Sequence, residues 1–288
     1  MDERAALADL ADSLPAAGDD CAVVDGQVVT TDMLHERTDF PDGTSRYTAG
    51  WRAVGASLSD VAAMGADATA AVAAYGAPSF EPAELGDFVD GARDVCEAVG
   101  GEYVGGDLDN HDEFTVATTA LGTASEPVLR SGASPGEAVC VTGTLGRSAL
   151  ALDLFDRGET ERANDLFRFE PRVQAGVALR SHATAMMDSS DGLARSLHQL
   201  AEASDCGFAV EEPLPIDERV DAVAESDEER LELGAFFGED FELVCTMPES
   251  AVSAAREATP CPLHRIGTVT EGDVTLDGEP FPDRGYSH

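Results

Sequence analysis

The segment from Met186 to Ser196 restricts the fold of this chain more than any other stretch. An apolar run leads into it, the residues from Asp188 to Asp191 supply two carboxylates and two hydroxyls, and Leu193 and Leu197 follow at helical spacing. This pattern predicts a buried strand that turns sharply into a helix. Backbone N–H groups point outward at such a helix start and bind anions. The segment therefore predicts an α/β element with a polar binding site at the turn.

Three further segments are predicted to be carboxylate-bearing turns, namely Gly18–Cys21, Thr30–Asp32 and Gly105–Asp107. A single aspartate in such a place is most often a helix cap or a turn residue. Six aspartates nevertheless lie at or beside the ends of predicted strands and helices: Asp20, Asp32, Asp60, Asp107, Asp188 and Asp191. Oxygen-rich sites without thiolates suit Mg²⁺, which takes one or two carboxylates together with phosphate oxygens and water. The six aspartates together predict a site that binds several hard cations next to phosphate groups.

The composition is strongly acidic, with 56 Asp and Glu residues against 18 basic residues and a formal net charge of −38. All of the basic residues are arginine, because the sequence contains no lysine. A lysine-free acidic surface predicts a halophilic protein adapted to molar salt, since the Debye length is then only about 3 Å. Such a surface repels nucleic acid and anionic membranes, so neither is expected as a partner.

Strands and helices alternate along both halves of the chain, which predicts an α/β (α+β) fold of two domains. Asp25-Gly26 separates two apolar runs and is typical of a two-residue hairpin. The turn-rich segment 130–136 marks the expected boundary, giving an N-terminal domain of residues 1–129 and a C-terminal domain of residues 130–288.

The cysteines and the hydropathy pattern predict a cytoplasmic protein. The six cysteines form no CxxC pair and lie mostly in apolar runs, as expected of small buried residues in a reducing compartment. The residues after Met1 form an acidic amphipathic segment without the features of a signal peptide. No run of about 18 apolar residues predicts a membrane span.

Several familiar active-site motifs are excluded. Without lysine there is neither a P-loop of the G-x-x-x-x-G-K type nor a kinase strand lysine. No G-x-G-x-x-G opens a helix, no G-x-S-x-G elbow between a strand and a helix supports a serine hydrolase, and no Cys/His cluster has zinc spacing. The remaining chemistry is that of carboxylate and hydroxyl oxygens at chain turns.

These oxygen-bearing segments resemble the motifs of thiamine-monophosphate kinases, which belong to the aminoimidazole-ribonucleotide synthetase superfamily. The resemblance covers essentially the whole chain, and its motifs follow in order: Gly18-Asp-Asp-Cys, Thr30-Thr-Asp, Ser57-Leu-Ser-Asp-Val-Ala-Ala-Met-Gly-Ala-Asp67, Gly105-Gly-Asp, Arg130-Ser-Gly, Val141-Thr-Gly, Asp188-Ser-Ser-Asp-Gly-Leu and Gly238-Glu-Asp-Phe-Glu. The Leu58–Asp67 stretch and the Gly238 segment are the most specific of them.

The resemblance implies an N-terminal sheet that pairs with a second subunit in a homodimer, a C-terminal α/β domain, and a cleft that binds ATP and several Mg²⁺ ions. It implies metal ligands at Asp20, Thr30, Thr31, Asp32, Asp60, Asp107, Asp188 and Asp191. ATP contacts are implied at Gly106, Asp107, Arg130 and Ser190, and a substrate contact at Glu239. No catalytic residue is expected beyond these ligands.

Two positions depart from the family pattern, and both concern the substrate. Asp39 stands where the family usually has a substrate-contacting histidine, although His35 lies nearby. Asp283 stands where the family has a substrate-contacting aromatic residue. We predict substrate contacts at both, because an acidic residue can face a thiazolium cation, although it would repel a phosphate.

The activity implied by the resemblance is ATP-dependent phosphorylation of thiamine monophosphate to thiamine diphosphate, by direct in-line transfer. The acceptor phosphate is already largely ionised near neutral pH, so no strong general base is required. Two alternatives stay open at this point. One is another ATP-dependent enzyme of the superfamily that acts on a different small phosphorylated substrate, and the other is an acidic cation-buffering protein.

Overall fold

The computed structural model describes Leu14 and residues 16–286. The acidic segment that follows Met1 lies outside these residues. Among the described helices none is both long and apolar enough to cross a membrane.

The first sheet is formed by five strands of the N-terminal half. They are β1 (Ala22–Val24), β2 (Gln27–His35), β3 (Asp67–Ala77), β4 (Glu102–Asn110) and β5 (Thr115–Thr123). Their order is β1-β2-β5-β3-β4, and only the β3–β4 pair is parallel. The predicted hairpin at Asp25-Gly26 is confirmed: Val24 pairs with Gln27, and both turn residues have positive φ, as this tight turn requires.

Two long helices pack on one face of the first sheet. The half contains α1 (Glu36–Asp39), α2 (Arg46–Ala63) and α3 (Pro82–Ala98). Ser45 caps α2 by accepting a hydrogen bond from the Thr48 amide, and Gly65 follows its end with φ of 62°. Helix α2 is buried along most of its length, and its core cluster joins residues of both halves.

The second sheet is formed by seven strands of the C-terminal half. They are β6 (Ala138–Thr142), β7 (Ala185–Asp188), β8 (Gly207–Val210), β9 (Leu243–Met247), β10 (Leu263–Thr270), β11 (Val274–Leu276) and β12 (Glu279–Pro280). Their order is β12-β11-β8-β10-β6-β9-β7, and β7 is therefore an edge strand. Its end at Asp188 places the carboxylate cluster at the rim of the sheet.

The helices of the C-terminal half are short. They are α4 (Arg147–Asp156), α5 (Thr160–Phe167), α6 (Val173–Leu179), α7 (Leu193–Ser204), α8 (Asp227–Leu231) and α9 (Val252–Ala258). The predicted strand, turn and helix around residues 185–204 are confirmed, with Gly192 just before α7 at φ of 97°. The two-sheet α/β fold is as the sequence predicted.

Two of the predicted carboxylate turns are wrong. Residues 30–32 lie in the middle of β2, and residues 105–107 lie within β4. At residues 105–107 the prediction failed because Gly105 and Gly106 do not form a turn. They lie at a β-bulge, where the register of β4 against β3 shifts. A Cβ on Gly106 would lie 1.7 Å from the Ala73 carbonyl oxygen, so glycine permits a close approach of two strands.

Candidate metal and nucleotide site

Three aspartates from distant parts of the chain meet between the two sheets. Asp20 precedes β1, Asp60 lies near the C-terminal end of α2, and Asp188 ends β7. One carboxylate oxygen from each lies within 4.8 Å of the others. Such a triangle of oxygens is typical of a site for a hard divalent cation.

Strand β2 adds two oxygen-bearing side chains, Thr30 and Asp32, on its helix-facing side. The Thr30 hydroxyl donates to Asp60 Oδ2 over 2.6 Å, and the Ser57 hydroxyl of α2 donates to Asp32 Oδ2 over 2.5 Å. Side chains alternate along a strand, so Thr30 and Asp32 point to the same side. The structure thus brings five of the predicted metal-ligating residues to one locality: Asp20, Thr30, Asp32, Asp60 and Asp188.

Arg130 is the positive charge beside this locality. Its Nη2 donates to Asp20 Oδ1 over 2.9 Å, and its Nε donates to Asp20 Oδ2 over 3.2 Å. Its backbone amide donates to Asp19 Oδ1 over 2.7 Å. Burial opposes the charged guanidinium, but the Asp20 carboxylate outweighs it and raises the pKa of Arg130. The arginine is therefore fixed at the junction of the two halves.

The cluster carries more negative charge than Arg130 can balance. Burial, followed by the Asp20 carboxylate, raises the pKa of Asp188 to about 7, and burial followed by Asp32 raises the pKa of Asp60 well above its ordinary value. Asp188 is 1% exposed, and its Oδ2 is buried without a hydrogen-bond partner among the described residues. Such an oxygen suits a divalent cation, because a bound metal would both neutralise and coordinate it.

The loop after β7 is built around Asp188. The Ser190 amide donates to Asp188 Oδ1 over 3.3 Å, and the Ser189 amide donates to the Glu242 carbonyl over 2.8 Å. Ser190 and Asp191 are half-buried at the rim. The carbonyl of Asp191 accepts a hydrogen bond from the Tyr286 amide over 3.0 Å, which ties the C-terminal segment to this loop.

Two of the three remaining predicted ligands, Thr31 and Asp107, lie elsewhere. Thr31 and Asp107 are exposed, and strand pairing sets Asp107 beside Ala74, which is on the side of the first sheet away from α2. Thr31 bonds to the Thr118 carbonyl on its neighbouring strand. In the described part of a single chain, Thr31 and Asp107 do not join the aspartate triangle. Gly106, which precedes Asp107 on β4, does not join it either.

The three predicted substrate residues are all engaged in the structure. Glu239 Oε2 accepts from Arg52 Nη2 over 2.5 Å. Asp39 is buried and accepts from the His35 amide over 2.6 Å within its own short turn. Asp283 is exposed and forms an ion pair of 2.7 Å with Arg195.

Sequence reasoning missed Arg52, Ser57 and Tyr286. The Tyr286 ring lies 6.2 Å from the Phe237 ring, and the charges of Glu239 and Asp39 act on its hydroxyl, whose pKa is raised first by burial. The signal for Ser57 was present, because it begins the family motif that contains Asp60. No sequence pattern marks Arg52 or Tyr286, because their partners are remote in the chain.

The chain matches two family descriptions in succession. Residues 18–124 match "AIR synthase related protein, N-terminal domain", and residues 134–278 match the C-terminal domain of the same family. Thiamine-monophosphate kinase of Halobacterium salinarum is 62% identical over 291 residues, covering 100% of both chains. The chain belongs to the thiamine-monophosphate kinase family. Thiamine-monophosphate kinase of Methanospirillum hungatei is 41% identical and covers 94% of this chain and 92% of its own.

Solved structures of this family share the fold. The crystal structure of thiamine-monophosphate kinase from Stenotrophomonas maltophilia superposes with a TM-score of 0.81 at 31% identity, covering 91% of this chain and 90% of that one. The structure of AaThiL complexed with AMPPCP and TMP superposes with a TM-score of 0.89 at 27% identity, covering 100% and 97% of the two chains. The family and the fold predicted from the motifs are thereby confirmed.

Proposed function

We propose that this protein transfers the γ-phosphoryl group of ATP to thiamine monophosphate and releases thiamine diphosphate. The observation that carries the proposal is the triangle of Asp20, Asp60 and Asp188 in a chain of this family. The structure of AaThiL with AMPPCP and TMP supports it, because AMPPCP is an ATP analogue that cannot transfer its terminal phosphate.

The metal-binding part of the proposal assigns several Mg²⁺ ions to the eight predicted ligands. Asp20, Asp60 and Asp188 would hold them most directly, and the Thr30 and Ser57 hydroxyls orient the carboxylates of Asp60 and Asp32. When bound, Mg²⁺ supplies charge neutralisation between the acceptor phosphate and the triphosphate. The carboxylates keep the pocket geometry fixed, so little reorganisation is needed during transfer.

In this proposal, Arg130 and the loop of residues 188–191 position the phosphates. Arg130 lies beside Asp20, and Ser190 lies at the rim directly after the triangle. We propose that Arg130, Ser190 and Gly106 contact ATP and that transfer is direct, without a phosphoenzyme. The acceptor phosphate needs no base, since its second ionisation lies near pH 6.

The thiamine end of the substrate is assigned to Glu239, with Tyr286 beside it. A carboxylate next to aromatic rings suits a cationic thiazolium, which gains from both charge and ring contact. Contacts of Asp39 and Asp283 with the substrate remain part of the proposal. Asp39 would then accept from the His35 amide and contact the substrate at the same time, and Asp283 would do so while paired with Arg195.

A homodimer is proposed through the side of the first sheet away from α2. This side exposes Met33 (60%), and no described helix covers it as α2 covers the opposite side. Asp107 lies on this side, at an edge strand, so it would reach a metal site only in the second subunit. The proposed domains of residues 1–129 and 130–288 each contain one of the two sheets.

The proposed setting is a cytoplasm of high salt, without nucleic-acid or membrane partners, as the charge of −38 suggests. The deciding experiment incubates the purified protein with ATP, Mg²⁺ and thiamine monophosphate in molar KCl and measures thiamine diphosphate. Asp188→Asn, prepared identically, is the control for contaminating kinases. A folded, ATP-binding sample that forms no thiamine diphosphate but releases ADP with another acceptor would favour the alternative superfamily substrate.

A further inference from the structure

Arg52 is a fully buried arginine between the two halves of the molecule. It lies on α2, is 0% exposed, and its guanidinium carbon lies 3.7 Å from the centre of the Phe167 ring. Its Nη1 donates to the Phe167 carbonyl over 2.8 Å. Phe169 and Phe241, stacked at 4.1 Å, border the same guanidinium at about 5.5 Å. The aromatic surround excludes water and fixes the plane of the group.

The other amino group of Arg52 is directed at Glu239. Nη2 donates to Glu239 Oε2 over 2.5 Å and to the Glu239 carbonyl over 3.2 Å. Ser148 donates its hydroxyl to the same carbonyl over 2.6 Å. Glu239 itself has φ of 63°, a left-handed conformation that surrounding contacts must maintain. Arg52 is therefore the cationic partner that holds both the backbone and the side chain of this residue.

The carboxylate of Glu239 retains one oxygen for a ligand. Its hydrogen bond with Arg52 uses Oε2, and Oε1 makes no hydrogen bond within the described chain. The Glu239 side chain is 17% exposed, whereas that of Arg52 is 1% exposed. The pair thus leaves one oriented carboxylate oxygen of the partly exposed Glu239 for a ligand, next to a counter-ion that is buried.

Helix α2 also carries Asp60, eight residues after Arg52. At 1.5 Å per residue this separation is about 12 Å along a rigid helix. The same helix therefore carries a predicted metal ligand near its C-terminal end and, about two turns earlier, the cation that holds Glu239. Glu239 contacts the loop after β7 as well, since its amide donates to the Ser190 carbonyl over 2.6 Å.

We propose that Arg52 is a positioning residue for substrate specificity: it orients Glu239 so that one carboxylate oxygen binds the cationic end of thiamine monophosphate at a fixed distance from the metal site. This inference rests on the proposed function. A buried ion pair adds little net stability, because desolvation offsets its attraction, so its presence beside a ligand-facing carboxylate indicates a geometric role.

The test uses Arg52→Met and Arg52→Lys in the full-length protein, with Arg168→Met as the matched control. Arg168 also reaches α2 from the C-terminal half, donating to Thr48 Oγ1 over 3.0 Å with its guanidinium 5.3 Å from the Tyr47 ring, but it does not contact Glu239. KM for thiamine monophosphate, KM for ATP and kcat are measured separately at molar KCl, together with the thermal midpoint.

Arg52→Met is expected to raise KM for thiamine monophosphate about tenfold or more while KM for ATP changes less than about twofold. Arg52→Lys keeps the charge but not the planar fork, so it should give the same split at smaller magnitude. It also keeps the test informative if Arg52→Met does not fold. Arg168→Met should leave both KM values near those of the unaltered protein.

A double variant separates positioning from structural support. Glu239→Gln should raise KM for thiamine monophosphate, and adding Arg52→Met should raise it no further, because both changes disable one contact. Additive effects, or equal rises in both KM values, would overturn the positioning role. If the unaltered protein forms no thiamine diphosphate, the proposed function fails first. If it is active and Arg52→Met leaves KM unchanged, only this inference fails.

Discussion

Arg130 holds Asp20 at two points, with Nη2 2.9 Å from Oδ1 and Nε 3.2 Å from Oδ2. Asp20 is at the same time a corner of the aspartate triangle. The guanidinium therefore lies next to the candidate metal site before any nucleotide binds. A phosphate that binds there meets a positive charge whose orientation has already been fixed.

This relationship predicts the effect of Arg130→Met. ATP affinity in the presence of Mg²⁺ should fall about tenfold or more, because a charge-assisted contact is lost and Asp20 is left without its partner. Calorimetric titration with AMPPCP measures it. Arg265→Met, which removes an exposed ion pair with Glu249, is the control and should bind as the unaltered protein does. Equal affinities for both variants would contradict the role of Arg130.

Asp188→Asn should lower kcat by several orders of magnitude while leaving the fold intact. The change removes one charge from the triangle, and each tenfold loss corresponds to about 1.4 kcal/mol of barrier. Initial rates at saturating Mg²⁺ and circular dichroism check both parts. Glu257→Gln, an exposed change on α9, should retain full activity. Near-normal turnover by Asp188→Asn would remove Asp188 from the essential ligands.

The same substitution should stabilise the metal-free protein above pH 7. The Asp188 pKa is about 7 in the folded chain against an ordinary value of 3.8, so the folded state binds more protons between these values. The free energy of unfolding of the unaltered protein therefore falls as pH rises through this window. In EDTA, the melting temperature of Asp188→Asn should exceed that of the unaltered protein by an amount that grows from pH 5 to pH 8. A gap that does not grow with pH would contradict the burial of this charge.

Complementation between subunits tests the position of Asp107. Asp60→Asn and Asp107→Asn should each be inactive alone, but co-expression should restore about one quarter of normal activity, since half of the dimers are mixed and each mixed dimer has one intact site. Activity is measured after tandem affinity selection of mixed dimers as well. If Asp107 served the site of its own chain, mixing would restore nothing.

Lowering the salt concentration should dissociate the proposed dimer or unfold the chain. The net charge is −38, and the Debye length grows to about 10 Å at 0.1 M salt, so acidic surfaces then repel one another. Sedimentation and melting temperature are followed from several molar to 0.1 M KCl at constant Mg²⁺. A stable, active dimer throughout that range would show that the acidic surface is not tuned to salt.

The sequence predicted the fold where local signals agreed with tertiary contacts. Asp25-Gly26 specifies its hairpin by backbone conformation alone, and the Asp188 segment combines a buried strand with a periodic helix. Gly105 and Gly106 were mistaken for a turn because their role depends on a neighbouring strand that sequence alone does not locate. Local patterns determine such elements only when their partners are close in the chain.

The sequence predicted which residues belong to the candidate site but not how they are arranged in space. Carboxylate chemistry identified Asp20, Asp60 and Asp188, which the structure brings together. It could not place Asp107 on the opposite side of a sheet, because that depends on strand pairing. It could not find Arg52 either, since its contact with Glu239 spans 187 residues.

Gly238 couples two loops that lie far apart in the chain. A Cβ at this position would lie 2.6 Å from the Ser190 carbonyl oxygen and 2.8 Å from the Asp191 carbonyl carbon, so no side chain fits between them. The turn that carries Glu239 and the loop that carries Asp188 consequently share one packing surface. An engineer who grafts either loop from a relative with a different acceptor must transfer both, because a chimera of one foreign and one native loop would lose their fit.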